Sequence, residues 1–245
     1  MNPVIVIPAR LASTRLPGKP LADICGLPMI VHVVNRARAA GIGPVAVACA
    51  EEEIAAAVVA AGARAVLTDP ALPSGSDRVK AALDIMDPDR TYDVVINLQG
   101  DLPTSPPEMI QAVLAPLADP SVEIATLVAP ITTAEERDAS SVVKAAVAFP
   151  AGVEVAPALY FSRHPIPWGE GPLWHHIGVY AYRRAALDRF VALPESPLEQ
   201  REKLEQLRAL EAGMRIGCAR VTHAPFGVDT PADLERARRE LGAAR

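Results

Sequence analysis

"VIVIPARLASTRLPGK" (Val4–Lys19) decides how the chain is read. Val4–Ile7 is a fully apolar run, as a parallel strand buried on both faces requires. The next twelve residues cannot stay buried: Arg10, Arg15 and Lys19 crowd a short stretch with Ser13, Thr14 and Gly18. In an open α/β sheet, ligands bind beyond the carboxyl ends of the strands. A cationic loop leaving the first strand there can cradle phosphates with its backbone N–H groups and three cations. The loop is not a Walker A motif, because Lys19 is followed by Pro20 and the metal-binding hydroxyl is missing. Nor does G-x-G-x-x-G occur. A solvated basic loop is the alternative reading.

Outward from this stretch, strand and helix signals alternate. Pro28 fits the first turn of a helix running to about Ala40, which Gly41 closes. Val45–Ala50 reads as a strand and Glu51–Gly62 as a helix with acidic residues at its positive end. Arg64–Leu67 is a short strand, Ser76 to about Met86 is helical, and Asp93–Leu98 is the clearest strand. A helix from about Pro107 to Leu117 and a strand at Glu123–Val128 come next. This alternation predicts a mostly parallel central sheet flanked by helices. Beyond it, Val142–Phe149, Ala158–Ser162 and Ile177–Arg183 read as strands with fewer helices between, and His164–Pro172 as an exposed loop. Ser196–Gly213 reads as one helix with a capping box at Ser196 and Glu199. The last helix opens at Thr230–Asp233. The expected organisation is one domain over 1–245: about 1–128 in the sheet, about 129–229 in a smaller mixed insertion, and a closing helix at 230–245.

Composition bounds the function. Half of the 245 residues are hydrophobic and aromatics are scarce, so the expected core is aliphatic. A net charge of −5 argues against a general nucleic-acid or anionic-membrane binder. Cys25, Cys49 and Cys218 form no C-x-x-C pair, so neither a zinc site nor a disulfide framework is indicated. They are expected to be reduced, in a cytoplasmic protein. The first strand begins too early for the apolar core of a signal peptide, and no apolar run approaches a membrane span.

Two more segments fall at the predicted ligand edge. "NLQGDLP" (Asn97–Pro103) ends a strand in Gly100–Asp101, where a carboxylate could hold nucleotide-bound Mg²⁺; alone, Gly-Asp is more often a turn. "PSGSDR" (Pro73–Arg78) opens a helix, and helix N-termini favour anions.

Together with "PMIVHVVNRA" (Pro28–Ala37), "LYFSRHPIPW" (Leu159–Trp168), "HHIGVYAYR" (His175–Arg183), "SPLEQREKLEQLR" (Ser196–Arg208) and "GVDTPADLERA" (Gly227–Ala237), these segments resemble, in order and over nearly the whole chain, the nucleotidyltransferases that make CMP-activated acidic sugars. The pattern is most similar to the branch that activates 3-deoxy-manno-octulosonate (KDO). The resemblance implies a Rossmann-like nucleotidyltransferase fold, a homodimer, and CTP and KDO as substrates. It implies that the anomeric 2-hydroxyl of KDO attacks the α-phosphorus of CTP, releasing pyrophosphate and forming CMP-KDO for lipopolysaccharide assembly, with Mg²⁺ as cofactor. Such chemistry needs positioning and charge neutralisation, not a covalent intermediate. The matched motifs contain no Ser–His or Cys–His arrangement.

The resemblance also assigns roles. Arg10, Arg15 and Lys19 contact the CTP phosphates, and Lys19, Arg15 and Asp101 form the catalytic set. Pro8, Ala9, Ser74 and Gly75 surround the cytidine, and Gln99 contacts nucleotide or sugar. Asp101 and Asp229 hold Mg²⁺, with an N-terminal helix cap as the lesser alternative for Asp229. Arg163 pairs with the sugar carboxylate, a role an isolated surface arginine would not suggest. His176 and Tyr180 lie on the same side of a strand and offer hydrogen bonds to hydroxyls, or else are core residues. Glu205 and Gln206 contact the sugar from the "LEQLR" helix, or else belong to a solvated face. Two positions depart from the family pattern. Leu102 stands where many members carry an acid, and Cys49–Ala50 where many carry Thr-Asp.

Overall fold

The N-terminal apolar run becomes strand β1, Pro3–Ala9, in which Val4 to Ile7 are wholly buried. The structure is a computed structural model and describes residues 1–243. A hairpin comes next, β2 (Asp23–Ile24) with β3 (Leu27–Pro28). Its two loop residues, Cys25 and Gly26, have φ of 51° and 83°, as a type I′ turn requires. Helix α1, Met29–Ala39, buries Ile30, Val33, Val34 and Ala37 along one face. Then come β4 (Val45–Cys49), α2 (Glu52–Ala60), β5 (Arg64–Leu67), α3 (Gly75–Met86), β6 (Val94–Asn97) and α4 (Pro107–Ala112). The predicted helix to Leu117 stops at Ala112, because the Pro116 ring would meet the Ala112 carbonyl; a 3-10 turn at Ala115–Ala118 replaces it.

These strands pair in parallel in the order β5-β4-β1-β6. The chain steps from β1 to β4 and β5 on one side, then returns to place β6 on the other. The order therefore reverses beside β1, and the loop after β1 emerges at that switch point, where open α/β sheets bind ligands.

The chain forms two compact units, one from Met1–Ile110 with the segment from Pro225 onward, the other from Gln111–Ala224. The second unit holds β7 (Ile124–Pro130), α5 (Ala134–Asp138), β8 (Lys144–Ala146), β9 (Val155–Pro157), β10 (Tyr160–Ser162), β11 (Trp174–Arg183), α6 (Arg184–Ala192), α7 (Pro197–Glu202), α8 (Leu207–Glu211) and β12 (Ile216–Arg220). Its pairings are mixed: β7 runs antiparallel to β11 and parallel to β12, β9 antiparallel to β12, and β8 antiparallel to β11 and β10. The predicted part boundaries at 128/129 and 229/230 differ from the unit boundaries at 110/111 and 224/225, since β7 finds its partners in β11 and β12.

The single predicted helix Ser196–Gly213 is two short ones. Lys203, in the left-handed region at φ 57°, ends α7 after the capping box at Ser196, and α8 restarts at Leu207. An aliphatic core describes the first unit only. All aromatic residues except Tyr92 and Phe226 lie in the second. There Phe161, His176, Tyr180, Tyr182 and Phe190 form a row with ring centroids 4.8–5.8 Å apart.

Helix α9, Pro231–Ala243, completes the first unit by packing Leu234, Ala237 and Leu241 with Ile24 and Met29. Among the described residues, no helix is long and apolar enough to cross a membrane.

Candidate active site

A cleft of about 770 Å³ opens in the first unit. The predicted nucleotide residues Pro8, Ala9, Arg10, Arg15, Lys19, Ser74, Gly75 and Gln99 all line it, with Asp101. The loop after β1 is held at its root by Ala50 N–H donating to Ala9 O (3.0 Å) and by Leu11 N–H donating to a Glu51 carboxylate oxygen (2.9 Å). In the sequence, Glu51 reads only as part of a helix start. At the far end of the loop, Gly18 at φ 66° turns the chain into a 3-10 turn, Lys19–Leu21, with Pro20 in its first turn.

That turn delivers Lys19 between two carboxylates. Its Nζ donates to Asp101 Oδ2 at 2.9 Å and to Asp229 Oδ1 at 3.0 Å, and Arg15 Nη2 meets Asp229 Oδ2 at 2.9 Å. The Lys19 side chain is 17% exposed and that of Arg15 63%, so Lys19 is the sheltered cation. Burial works against its charge, but Asp101 and Asp229 outweigh burial and hold the Lys19 pKa above its usual value.

The strand end that carries Asp101 explains Gly100. A Cβ there would lie 3.0 Å from Pro8 O and 3.4 Å from Ile30 Cδ1. Asp101 O in turn accepts from Val228 N–H (2.9 Å), which ties together the two segments bearing the carboxylates. Asp229 does not cap α9. Thr230 Oγ1 accepts from Asp233 N–H (3.2 Å), while the Asp233 carboxylate accepts from Thr230 N–H (2.9 Å) and Asp229 N–H (3.2 Å). With that reciprocal box in place, the Asp229 carboxylate is left for the two cations.

Ser74 caps α3, accepting from Asp77 N–H (3.2 Å). One turn on, Arg78 also lines the cleft although sequence reasoning passes over it, a charge in a helix looking like a solvated one. It is 2% exposed and donates to Thr68 Oγ1 (2.7 Å) and Asp69 O (3.0 Å), which fixes the turn after β5 against α3. Gln99 Nε2 donates to Asn97 Oδ1 (3.2 Å). At the two departures from the family pattern, Leu102 is buried, and Cys49 ends β4 wholly buried, its thiol pushed up to about 12 by that burial.

Of the predicted sugar residues, Arg163, His176, Tyr180, Glu205 and Gln206 lie in the second unit and Gln99 in the first. His176 and Tyr180 share one side of β11, with rings 5.5 Å apart, across a bulge between Ile177 and Tyr180. The bulge carries two extra residues, so the alternation of faces survives it. His176 Nε2 lies 3.0 Å from Thr126 Oγ1. Burial, aided by the neighbouring His175, drives the His176 pKa down to about 3, and burial raises that of Tyr180 well above the usual phenol value. Glu205 and Gln206 occupy the turn between α7 and α8, not a helix and not a solvated face. Gln206 is 7% exposed, and its Nε2 has no hydrogen-bond partner among the described residues.

A family model described as cytidylyltransferase matches residues 4–216. The 3-deoxy-manno-octulosonate cytidylyltransferase of Rhodospirillum centenum is 65% identical over 237 residues, covering 97% of this chain and 92% of its own. That of Paramagnetospirillum magneticum is 60% identical over 243 residues, 99% of each chain. A solved CMP:2-keto-3-deoxy-manno-octonic acid synthetase complexed with CTP matches with a TM-score of 0.90 at 41% identity, covering 100% of both chains. A cytidylyltransferase from Leptospira borgpetersenii matches at 14% identity and a TM-score of 0.64, a likeness of fold alone, over 99% of this chain and 87% of its own. The chain belongs to the cytidylyltransferase family, in its 3-deoxy-manno-octulosonate branch.

Proposed function

We propose that the protein transfers CMP from CTP to the anomeric 2-hydroxyl of KDO, giving CMP-KDO and pyrophosphate. The observation that carries the reading is the convergence of Asp101 and Asp229 on Lys19, in a cleft at the switch point of a parallel sheet. It is supported by relatives of that activity at 60% and 65% identity over nearly full length.

In this reading Pro8, Ala9, Ser74 and Gly75 surround the cytidine, and Arg10 and Arg15 bind phosphates. Lys19 exchanges its carboxylate partners for the α-phosphate or the departing pyrophosphate and neutralises charge as it develops. The donor set fits Mg²⁺. Two carboxylate oxygens face one position that an ammonium now fills, and Mg²⁺ is commonly bound by one or two carboxylates plus substrate phosphates. Asp101 and Asp229 would hold the ion, which when bound withdraws charge from the phosphates. Arg163 receives the sugar carboxylate, His176 and Tyr180 contact hydroxyls, and Gln206, whose buried Nε2 has no partner among the described residues, donates to the sugar beside Glu205. Gln99 contacts nucleotide or sugar. A cytoplasmic setting agrees with three free cysteines. A homodimer is implied by the family resemblance and is checked by light scattering.

The test is pyrophosphate release over a panel of nucleotides and acidic sugars, with Mg²⁺. CTP with KDO should give the highest kcat/KM and CMP-KDO as product. Preference for 8-amino KDO or a sialic-acid-like sugar would keep the chemistry and change the substrate. CTP binding without turnover of any sugar would reject the enzyme reading.

A further inference from the structure

Lys144 opens β8 with 0% of its surface exposed, and its ammonium is held by main-chain carbonyls, donating to Ala139 O (2.7 Å) and Arg163 O (3.2 Å). Burial depresses its pKa, against the weaker pull of Asp138. A buried ammonium held by dipoles is a costly arrangement. An apolar side chain of that length would fill the space but take from Arg163 O its lysine donor, whereas Ala139 O would keep the Val142 N–H (3.1 Å).

Arg163 sits directly after β10, whose Ser162 pairs with Lys144 across the ladder. Its Nε donates to Glu202 O (2.8 Å), Nη1 to Ser140 O (3.0 Å) and Nη2 to Lys203 O (3.1 Å). Its backbone N–H donates to Glu202 Oε2 (3.1 Å), and Ser162 Oγ to Glu202 Oε1 (2.9 Å). Three of the five guanidinium N–H groups therefore grip main chain, and two are left for a ligand. The gripped carbonyls of Glu202 and Lys203 end α7, where Lys203 turns left-handed, two residues before Glu205 and Gln206. The same guanidinium thus fixes its own orientation and the start of the Glu205–Gln206 turn. Lys144 holds it from behind by the Arg163 carbonyl, and adds a second positive charge that makes the surroundings attractive to an anion.

We infer that Lys144 is a positioning residue for Arg163, and through it for the carboxylate of the acidic sugar. The inference rests on the proposed pairing of Arg163 with that carboxylate. It goes further by naming a buried cation that has no direct contact with substrate and sets how the contacting one is presented.

The experiment is steady-state kinetics with KDO and CTP varied separately, on Lys144→Met and Arg163→Ala, with melting curves for both. Lys144→Met should raise KM for KDO by about tenfold while KM for CTP stays within about twofold. A lysine with a merely structural role would lower the melting temperature and move both KM values together or neither. If Arg163→Ala raises KM for KDO and Lys144→Met does not, the inference fails and the Arg163 role stands. If Arg163→Ala leaves KM for KDO unchanged, the Arg163 role fails and the inference falls with it. Should Lys144→Met not fold, Lys144→Gln removes the ammonium from the Arg163 carbonyl while keeping a polar side chain at the same place. A selective rise in KM for KDO then supports the clamp, and no rise overturns it.

Discussion

Two sheltered lysines, one in each unit, are treated in opposite ways. Burial disfavours both charges. At Lys19 the carboxylates of Asp101 and Asp229 more than offset it, and the pKa rises. At Lys144 only Asp138 opposes it, more weakly, and the pKa falls. The first unit presents opposite charges already paired with one another at 2.9–3.0 Å, all of them partly open to solvent. Such pairs contribute little to stability and can be exchanged for a ligand at low cost. The second unit holds the Lys144 ammonium and the Arg163 guanidinium with backbone carbonyls, a grip by dipoles that fixes the geometry. Exchangeable ion pairs suit a polyanion that arrives with its own metal ion. A fixed positive charge suits one carboxylate that must be oriented.

The largest effect expected from this contrast is at Lys19. Lys19→Ala should lower turnover by about 10²–10³-fold, the scale for removing one well-placed electrostatic donor. The melting temperature should hardly move, because Arg15 still pairs with Asp229 and the lost pairs are partly solvated. A variant that unfolds early would show that the Lys19 pairs are structural, and one that keeps full turnover would remove Lys19 from the chemistry. Either result would break the contrast.

How much of the molecule the sequence discloses depends on the range of the forces involved. Strand β1 was legible because burial on both faces demands an unbroken aliphatic run. The α9 cap was legible because Thr230 and Asp233 lie three residues apart. The β2–β3 hairpin was not, since Cys25 takes the left-handed position where Asn or Asp would have signalled the turn. The break after α7 was hidden for a different reason. No Gly or Pro marks it, and the Lys203 conformation accompanies bonds from Arg163, forty residues away in sequence. The pairing of Asp101 with Asp229 across Lys19 is equally non-local. Spacing does not supply it, and the resemblance implies only that the two carboxylates share a metal ion; the Val228 N–H bond to Asp101 O ties the two segments together.

A smaller effect tests how dry the second unit is. His176 has a folded pKa of about 3 against an ordinary value of 6.5. The unfolded chain therefore binds the extra proton first, and stability is present above pH 6.5 and lost as pH falls toward 3. Within that window the wild type should lose up to about 1.4 kcal/mol per pH unit more than His176→Gln, measured by urea unfolding at a series of pH values. Parallel curves would mean that His176 is hydrated. The second unit would then be as solvated as the first.

The smallest effect separates structure from chemistry inside the first unit. Thr230 Oγ1 accepts from Asp233 N–H and donates to the Asp233 carboxylate, which also receives the Asp229 N–H. Thr230→Ala removes the cap but keeps the Asp229 side chain and both its cations. It should cost about 1 kcal/mol, a fall of roughly 2–4 °C in melting temperature for a chain of this size. Turnover should be unchanged, because the Asp229 segment is also held through Val228 N–H on Asp101 O. A tenfold loss of turnover at the same small cost in stability would mean that the cap sets the direction of the Asp229 carboxylate. The first unit would then hold at least one of its charges as rigidly as the second holds Arg163, and exchangeability would be confined to Lys19 and Arg15.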